Sequence, residues 1–231
     1  MESEFSAAGV RVVELPKGEP IAAESYGEFA KALNAFQDTK AFSAVVKEKV
    51  ESGLSPIFYV AGETDLKYFQ TAAILLDKPH LTEYFNWIGA DSLVGGGKFT
   101  GDSAMDHAIE MFRANPELAG RKIVFLYDCD ANKKDETFDT VTILALEQVP
   151  GAKCEKGIEN LLPDKVFTEE MYEKKEKTAG YGRMNVIWNL KKMKLCDSLC
   201  GPQSEKDTFL NFASILDRLD EITRDDTRIQ T

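Results

Sequence analysis

Apolar positions along this chain fall into short unbroken runs and longer stretches with helical spacing, and the two kinds alternate. IFYVAG, from Ile57 to Gly62, is a continuous apolar run that predicts a buried strand ending at glycine. DLKYFQTAAILL follows, with Leu66, Phe69, Ala73 and Leu76 on one helical face. YFNWIGA, from Tyr84 to Ala90, predicts a second strand, closed by a small-residue loop from Gly95 to Gly101. Asp102 or Ser103 then opens a helix reaching Arg113, with Pro116 and Gly120 marking its exit. KIVFLYD, Lys122 to Asp128, has the strongest strand character in the chain. It leads into the polar loop CDANKKDET and then a fourth strand, TVTILALEQ.

Ahead of this alternation, VRVVEL (residues 10–15) predicts a short edge strand stopped by Pro16-Lys17-Gly18. Ser25 to Glu51 predicts a helix through Phe29, Leu33, Phe36, Phe42, Val45, Val46 and Val50. Behind it, GIENLLPDKVF predicts a short helix broken at Pro163, and residues 168–206 are charged and irregular, with a helix expected around Val186 to Leu199. DTFLNFASILDRLDEI predicts an amphipathic closing helix with Phe209, Phe212, Ile215, Leu216 and Leu219 on one face. Three segments follow: a strand-and-helix extension over 1–54, a core over 55–167, and a charged insertion with a C-terminal helix packed on the core over 168–231.

Strand, helix, strand, helix, strand is the order of an α/β fold, a parallel sheet flanked by helices on both faces. Ligands of such sheets bind outside the carboxyl ends of the strands. That rule gathers Ala61-Gly62, the Gly95-Gly96-Gly97 loop and Asp128-Cys129-Asp130 along one edge.

Composition narrows the chemistry. The 231 residues are 43% hydrophobic, enough for a globular core, and carry 28 Lys+Arg against 39 Asp+Glu, a net charge of −11. An acidic chain does not hold nucleic acid through a broad basic surface, although a divalent cation can supply the missing charge at one phosphate. The N-terminal MESEFSAAGVRVVE has acids where a secretory signal has bases, and no stretch is long enough to cross a bilayer. The expectation is a cytoplasmic protein that does not meet the membrane. Cys129, Cys154, Cys196 and Cys200, with only His80 and His107, lack the spacing of a zinc site and read as free thiols. Neither histidine sits where a nucleophile would be presented. The stretch Gly95-Gly96-Gly97-Lys98 fails as a phosphate-binding P-loop, because Ser92 and Phe99 stand where it needs glycine and a hydroxyl.

Acids supply the remaining candidates. Asp128 and Asp130 lie two apart after the strongest strand, so an extended chain points both carboxylates the same way. Paired carboxylates repel unless a cation lies between them, which makes Asp128 and Asp130 a natural Mg2+ or Mn2+ site. Glu63 and Asp65 follow the first strand at the same edge, and Glu159 lies beyond the fourth. Convergence of such acids implies metal-assisted displacement at phosphorus.

YVAGETDLKYF, WIGADSLVGGG, FLYDCDAN and GIENLLP together resemble a TOPRIM domain. The likeness is to TOPRIM domains of OLD-type nucleases and their small stand-alone relatives in anti-phage systems. It covers Ile57 to Phe167, and Asp207 to Ile222 more loosely. The resemblance implies metal-dependent hydrolysis of DNA or RNA, tRNA included. It also implies an ABC- or AAA-type ATPase partner, and a homo-oligomer is compatible with it. In that family the first strand ends in a catalytic glutamate followed by glycine, with a second acid four residues on. Here Gly62 holds the glycine position and Asp65 the second acid, while Ala61 stands in the place of the glutamate. The implied catalytic set is position 61 with Asp128 and Asp130, and the implied metal ligands are Asp65, Asp128, Asp130 and Glu159. Glu63 lies past the glycine turn and is expected to aim elsewhere.

Three origins fit Ala61: a deliberate Glu→Ala inactivation, a natural pseudo-enzyme, or a misaligned motif. A non-catalytic regulatory or scaffold subunit is the alternative reading. A Mn2+-dependent nucleotide-sugar glycosyltransferase would use Asp128 and Asp130 but leaves AGETD and GIENLLP unexplained. A haloacid-dehalogenase-type phosphatase is poorer still, with Asn132 at the fifth position of its motif. Glu169 to Lys194 is the expected docking region, and its lysines, Lys192 and Lys194 among them, are candidates for phosphate contact.

Overall fold

The computed structural model describes residues 13–14, 19–20, 40, 44, 46, 48, 56–88, 90–91, 97–98, 100–178 and 184–229. In chain order the strands are β1 (Val13–Glu14), β2 (Glu19–Pro20), β3 (Ile57–Val60), β4 (Phe85–Trp87), β5 (Ala90–Asp91), β6 (Gly97–Lys98), β7 (Ile123–Tyr127), β8 (Glu136–Phe138), β9 (Val141–Ala145), β10 (Tyr172–Thr178) and β11 (Met184–Leu190). The α-helices are α1 (Glu63–Leu75), α2 (Asp102–Ala114), α3 (Lys192–Leu199) and α4 (Ala213–Ile229).

Five strands form the central sheet in the order β4-β3-β7-β9-β8. The β4–β3, β3–β7 and β7–β9 pairs are parallel. β8 closes one edge antiparallel to β9, so the sheet is mixed where a purely parallel one is expected. Glu136 and Thr137 fall in the stretch expected as loop, because their exposed, polar pattern shows no apolar period. The strand pairs as an edge strand can, with Thr137 Oγ1 3.3 Å from Thr142 Oγ1 across the ladder and Phe138 packed at the margin of the core.

Alternation along the strands sorts side chains onto two faces. Ile57, Tyr59, Ile123, Phe125 and Tyr127 meet Ala104, Met105, Ala108, Ile109 and Phe112 of α2, with Val46 on the same side. Phe58, Val60, Val124, Leu126 and Leu144 face a larger group drawn from α1, α3, α4 and four 3-10 turns. On that second face Phe69 stacks on Phe85 at 5.1 Å and meets Phe212 edge-on at 5.6 Å. Each such ring removed from water stabilises by about 1.5–3 kcal/mol. Helices therefore cover both faces, and the α/β class is the one expected.

Boundaries differ most behind the core. The helix expected over Val186 to Leu199 is half strand: Met184–Leu190 pairs with Tyr172–Thr178 as an antiparallel hairpin, and only Lys192–Leu199 is helical. Val186, Ile187 and Trp188 favour a strand, and the pairing partner is an unpromising YEKKEKT. The closing helix opens as a 3-10 turn over Lys206–Phe212 before α4 begins. Of the helix expected over Ser25 to Glu51, the described positions Lys40, Ala44, Val46 and Glu48 are helical; the rest lies outside the described residues. The strand expected over 10–15 is described at Val13–Glu14, which pairs with Glu19–Pro20. Among the described residues no helix is long and apolar enough to cross a membrane.

One ionic knot ties α4 to the loop after α1. Asp220, buried, accepts from Lys78 Nζ at 3.0 Å and from Arg224 at 2.7 Å, and meets His80 Nε2 at 2.8 Å. Burial pulls this carboxyl upward, but the hydrogen bonds from His80 and Lys78 outweigh it and leave the pKa below the ordinary range. A depressed carboxyl stabilises fully above the unfolded value of about 4 and loses that contribution as pH falls through its lower folded value. Asp220→Asn is expected to cost about 1–3 kcal/mol at neutral pH and to flatten the acid limb of stability against pH, measured by urea unfolding across pH 2 to 7.

Candidate functional site

β3 and β7 are neighbours whose onward connections leave in opposite directions, and the space beyond their carboxyl ends is the switch point of the sheet. An open cleft of about 530 Å3 lies there, with Ala61, Gly62, Asp65, Gly101, Asp102, Asp128 and Lys192 in its wall. They come from four separate segments of the chain. Val60 ends β3, and Ala61-Gly62 swing the chain into α1, which places Asp65 in the first helical turn. Gly101 donates its amide to the Ala61 carbonyl at 2.8 Å and so draws the start of α2 to the same edge. Its φ of 75° with ψ of −168° is a conformation open almost to glycine alone.

Asp128 leaves the end of β7 into the cleft, but the chain does not run on extended. Ala131 donates to the Asp128 carbonyl at 3.1 Å, closing a turn at Cys129. Asp130 is exposed and accepts the Gly157 amide at 2.8 Å, so it fastens two loops together instead of lining the cleft beside Asp128. The expectation of two carboxylates side by side is corrected accordingly, because the strand ends one residue too soon.

Glu159 is fully buried. Its 3-10 turn, Ile158–Leu161, sinks Ile158 and Leu161 into the core, and the glutamate goes down with them. Asn160 locks the turn by accepting from the Val149 amide at 2.6 Å and donating to the Cys154 carbonyl at 2.8 Å. Lys192 Nζ reaches Glu159 Oε2 at 2.8 Å, while Oε1 has no hydrogen-bond partner. Gly157, at φ 71°, precedes the turn; a Cβ there would stand 2.6 Å from Glu159 Oε2 and 3.1 Å from Lys192 Nζ. Glycine is required on both counts.

The acids feel one another. Burial first, then the Glu159 charge, pushes Asp65 up to about 6, with Lys192 opposing. Burial, then Asp65, Asp102 and Glu159, pushes Asp128 up to about 8. Asp102 is raised by burial and by Asp106 and Asp130. Like charges crowded in a poorly solvated cleft disfavour ionisation, and an added cation would reverse the sign of that effect. Among the described residues, however, no three His, Cys, Asp or Glu side chains stand close enough to share one metal ion. The donors are hard oxygens, as Mg2+ or Mn2+ prefers, and Glu159 keeps a free oxygen. As they stand they do not complete a site.

Asp65, Asp128 and Glu159, singled out by sequence, thus belong to one electrostatic group, and Ala61 and Gly62 line its cleft. Glu63 is exposed and pairs with Lys67 at 3.4 Å. Gly95 and Gly96 lie outside the described residues, and Gly97 pairs with Asp91 in the small β5–β6 hairpin. Lys194 Nζ donates to the Glu170 carbonyl at 3.2 Å. One member was missed: Asp102 reads as a helix cap, although its place straight after the glycine loop puts it on the same edge. Lys192, named as a candidate for phosphate contact, turns inward to Glu159, a direction that no local pattern signals. Comparison with known families, characterised proteins and solved structures finds no match to the chain.

Lys192→Met leaves a buried carboxylate without its counter-ion. Allowing for the half-exposed lysine, the expected cost is about 1–3 kcal/mol in urea unfolding. Adding Glu159→Gln should recover most of it; a double variant no more stable than Lys192→Met would mean that the lysine acts through packing instead.

Proposed function

We propose that the cleft is a divalent-metal site for phosphodiester hydrolysis lacking one acidic ligand, so that this chain is the inactive form of a TOPRIM-type nuclease. The observation that carries the reading is the ring of acids around a gap. Asp65, Asp102, Asp128 and Glu159 come from four separate segments and act on one another's ionisation, and Ala61 lies in the same cleft wall. Turns and helix caps explain one acid at a time; they do not explain two carboxyl groups held far above their ordinary pKa values beside a buried third. With a carboxylate restored at position 61, Mg2+ or Mn2+ drawn to this group of acids would neutralise phosphate charge and make bound water more acidic.

The chain's own residues supply the rest of the argument. Ala61 has a methyl group where a carboxylate would complete the donors, and it can neither take a proton nor hold a cation. Glu63 does not replace it, being exposed and engaged with Lys67. Asp130 orders the Gly157 turn and through it Glu159. The motif resemblance adds the expected setting: DNA or RNA as substrate, anti-phage defence, a cytoplasmic location and an ATPase partner.

Ala61 also favours a second reading, a regulatory subunit that keeps the cleft without the chemistry. One substitution separates the two. Ala61→Glu is expected to bring a Mn2+-dependent rise in melting temperature that the parent chain lacks, together with nicking of DNA or cleavage of RNA. A variant that folds, gains no metal response and cuts neither substrate, with an ATPase partner present, leaves the regulatory reading standing.

A further inference from the structure

Among the described residues the β10–β11 hairpin pairs with no other strand, and its base packs on the core through Tyr172 and Leu190. Farther out, Trp188 is 62% exposed and Ile187 41% exposed. An indole left in water forgoes a large apolar contribution. Register puts Trp188 directly opposite Lys174, with Tyr172 next along the same face.

Charge on this arm runs against the rest of the molecule. Glu169 to Lys194 holds seven Lys and Arg against four Glu, in a chain whose net charge is −11. The base of the arm leads to the cleft. The Lys191 amide is fixed to the Met171 carbonyl at 2.8 Å, and the next residue, Lys192, turns into the cleft wall against Glu159. Lys191 and Lys194 each give one hydrogen bond to the Glu170 carbonyl at 3.2 Å, and an ammonium group has three to give.

We propose that this arm holds an unpaired nucleic-acid strand, with a base stacked on Trp188 and the adjoining phosphates against the lysines, and delivers that strand to the cleft. The proposal rests on the reading of the cleft as a phosphodiester site and adds its substrate class. Aromatic stacking beside a basic track is how single strands are gripped without sequence preference, because every base offers a flat face. Duplex DNA keeps its bases inside the stack and cannot use the indole. A ring of carboxylates repels phosphate, so a positive lead-in beside it meets a need that the cleft itself creates. A protein partner could also take an exposed tryptophan, but it would not call for lysine directly across the hairpin.

Binding is measured on the chain as it stands, with Ala61 in place and EDTA present, so that it does not depend on cleavage. Fluorescently labelled (dT)20, (rU)20 and a mixed-sequence 20-base-pair duplex are titrated at 50 mM salt. At least one single strand should bind tighter than the duplex, and Trp188→Ala should weaken it about tenfold. Trp188→Phe should retain part of the affinity, and Lys174→Glu should weaken binding while making it less salt-dependent. Equal affinity for duplex and single strands overturns the proposal. So does unchanged affinity in Trp188→Ala, which would mean charge alone, and so does no binding of any oligonucleotide, which leaves the arm to a protein. Strand binding with an uncut substrate in Ala61→Glu would sink the nuclease and keep the arm; cleavage with Trp188→Ala binding as tightly as the parent would do the reverse.

Discussion

The site depends on a carboxylate that has been taken out of water. Burying an ion costs several kcal/mol even after the surroundings relax, and only close opposite charge and hydrogen bonds offset it. Glu159 has one such bond, from Lys192 at 2.8 Å, and its other oxygen has none. The neighbouring acids share its predicament: burial first, and then their mutual repulsion, push Asp128 up to about 8 and Asp65 up to about 6, with Lys192 opposing. Much of the local geometry serves this one group, from the glycine conformation at Gly157 to the amide locks of Asn160.

The two faces of the sheet carry unequal loads. Among the described residues α2 supplies most of the cover on one side, through Ala104, Met105, Ala108, Ile109 and Phe112, with Val46 beside it. The other side packs α1, the Ile158–Leu161 turn, α3 and α4 over the same strands. Asp65, Glu159 and Lys192 come from this crowded side, and Asp102 and Asp128 reach the cleft from α2 and the sheet edge. Four separate segments must come together before the acids meet, so the cleft is a product of tertiary packing. No single motif contains it.

That origin explains how much was legible in advance. The strand-helix alternation and the carboxyl-edge rule located Ala61, Asp65 and Asp128, because each directly follows a strand whose apolar run is unmistakable. Glu159 was visible only as an acid in a short motif; its burial follows from Ile158 and Leu161 being drawn inward. Asp130 was misplaced by assuming that a strand continues past its last buried residue. Lys192 and the hairpin were opaque for a common reason. A strand such as YEKKEKT meets the core through Tyr172 and carries no other apolar residue, so it has no hydrophobic period to read. The direction of one lysine is settled by a partner 33 residues earlier in the chain.

Ala61 is held chiefly through its backbone. Its carbonyl takes the Gly101 amide, and its methyl group, half-buried at the cleft wall, packs at the margin of the cluster under α2. Fold and chemistry are therefore separable at this residue. On the reading proposed above, a change at one codon would silence or rearm such a cleft in a single mutational step, with the chemistry carried on one replaceable side chain.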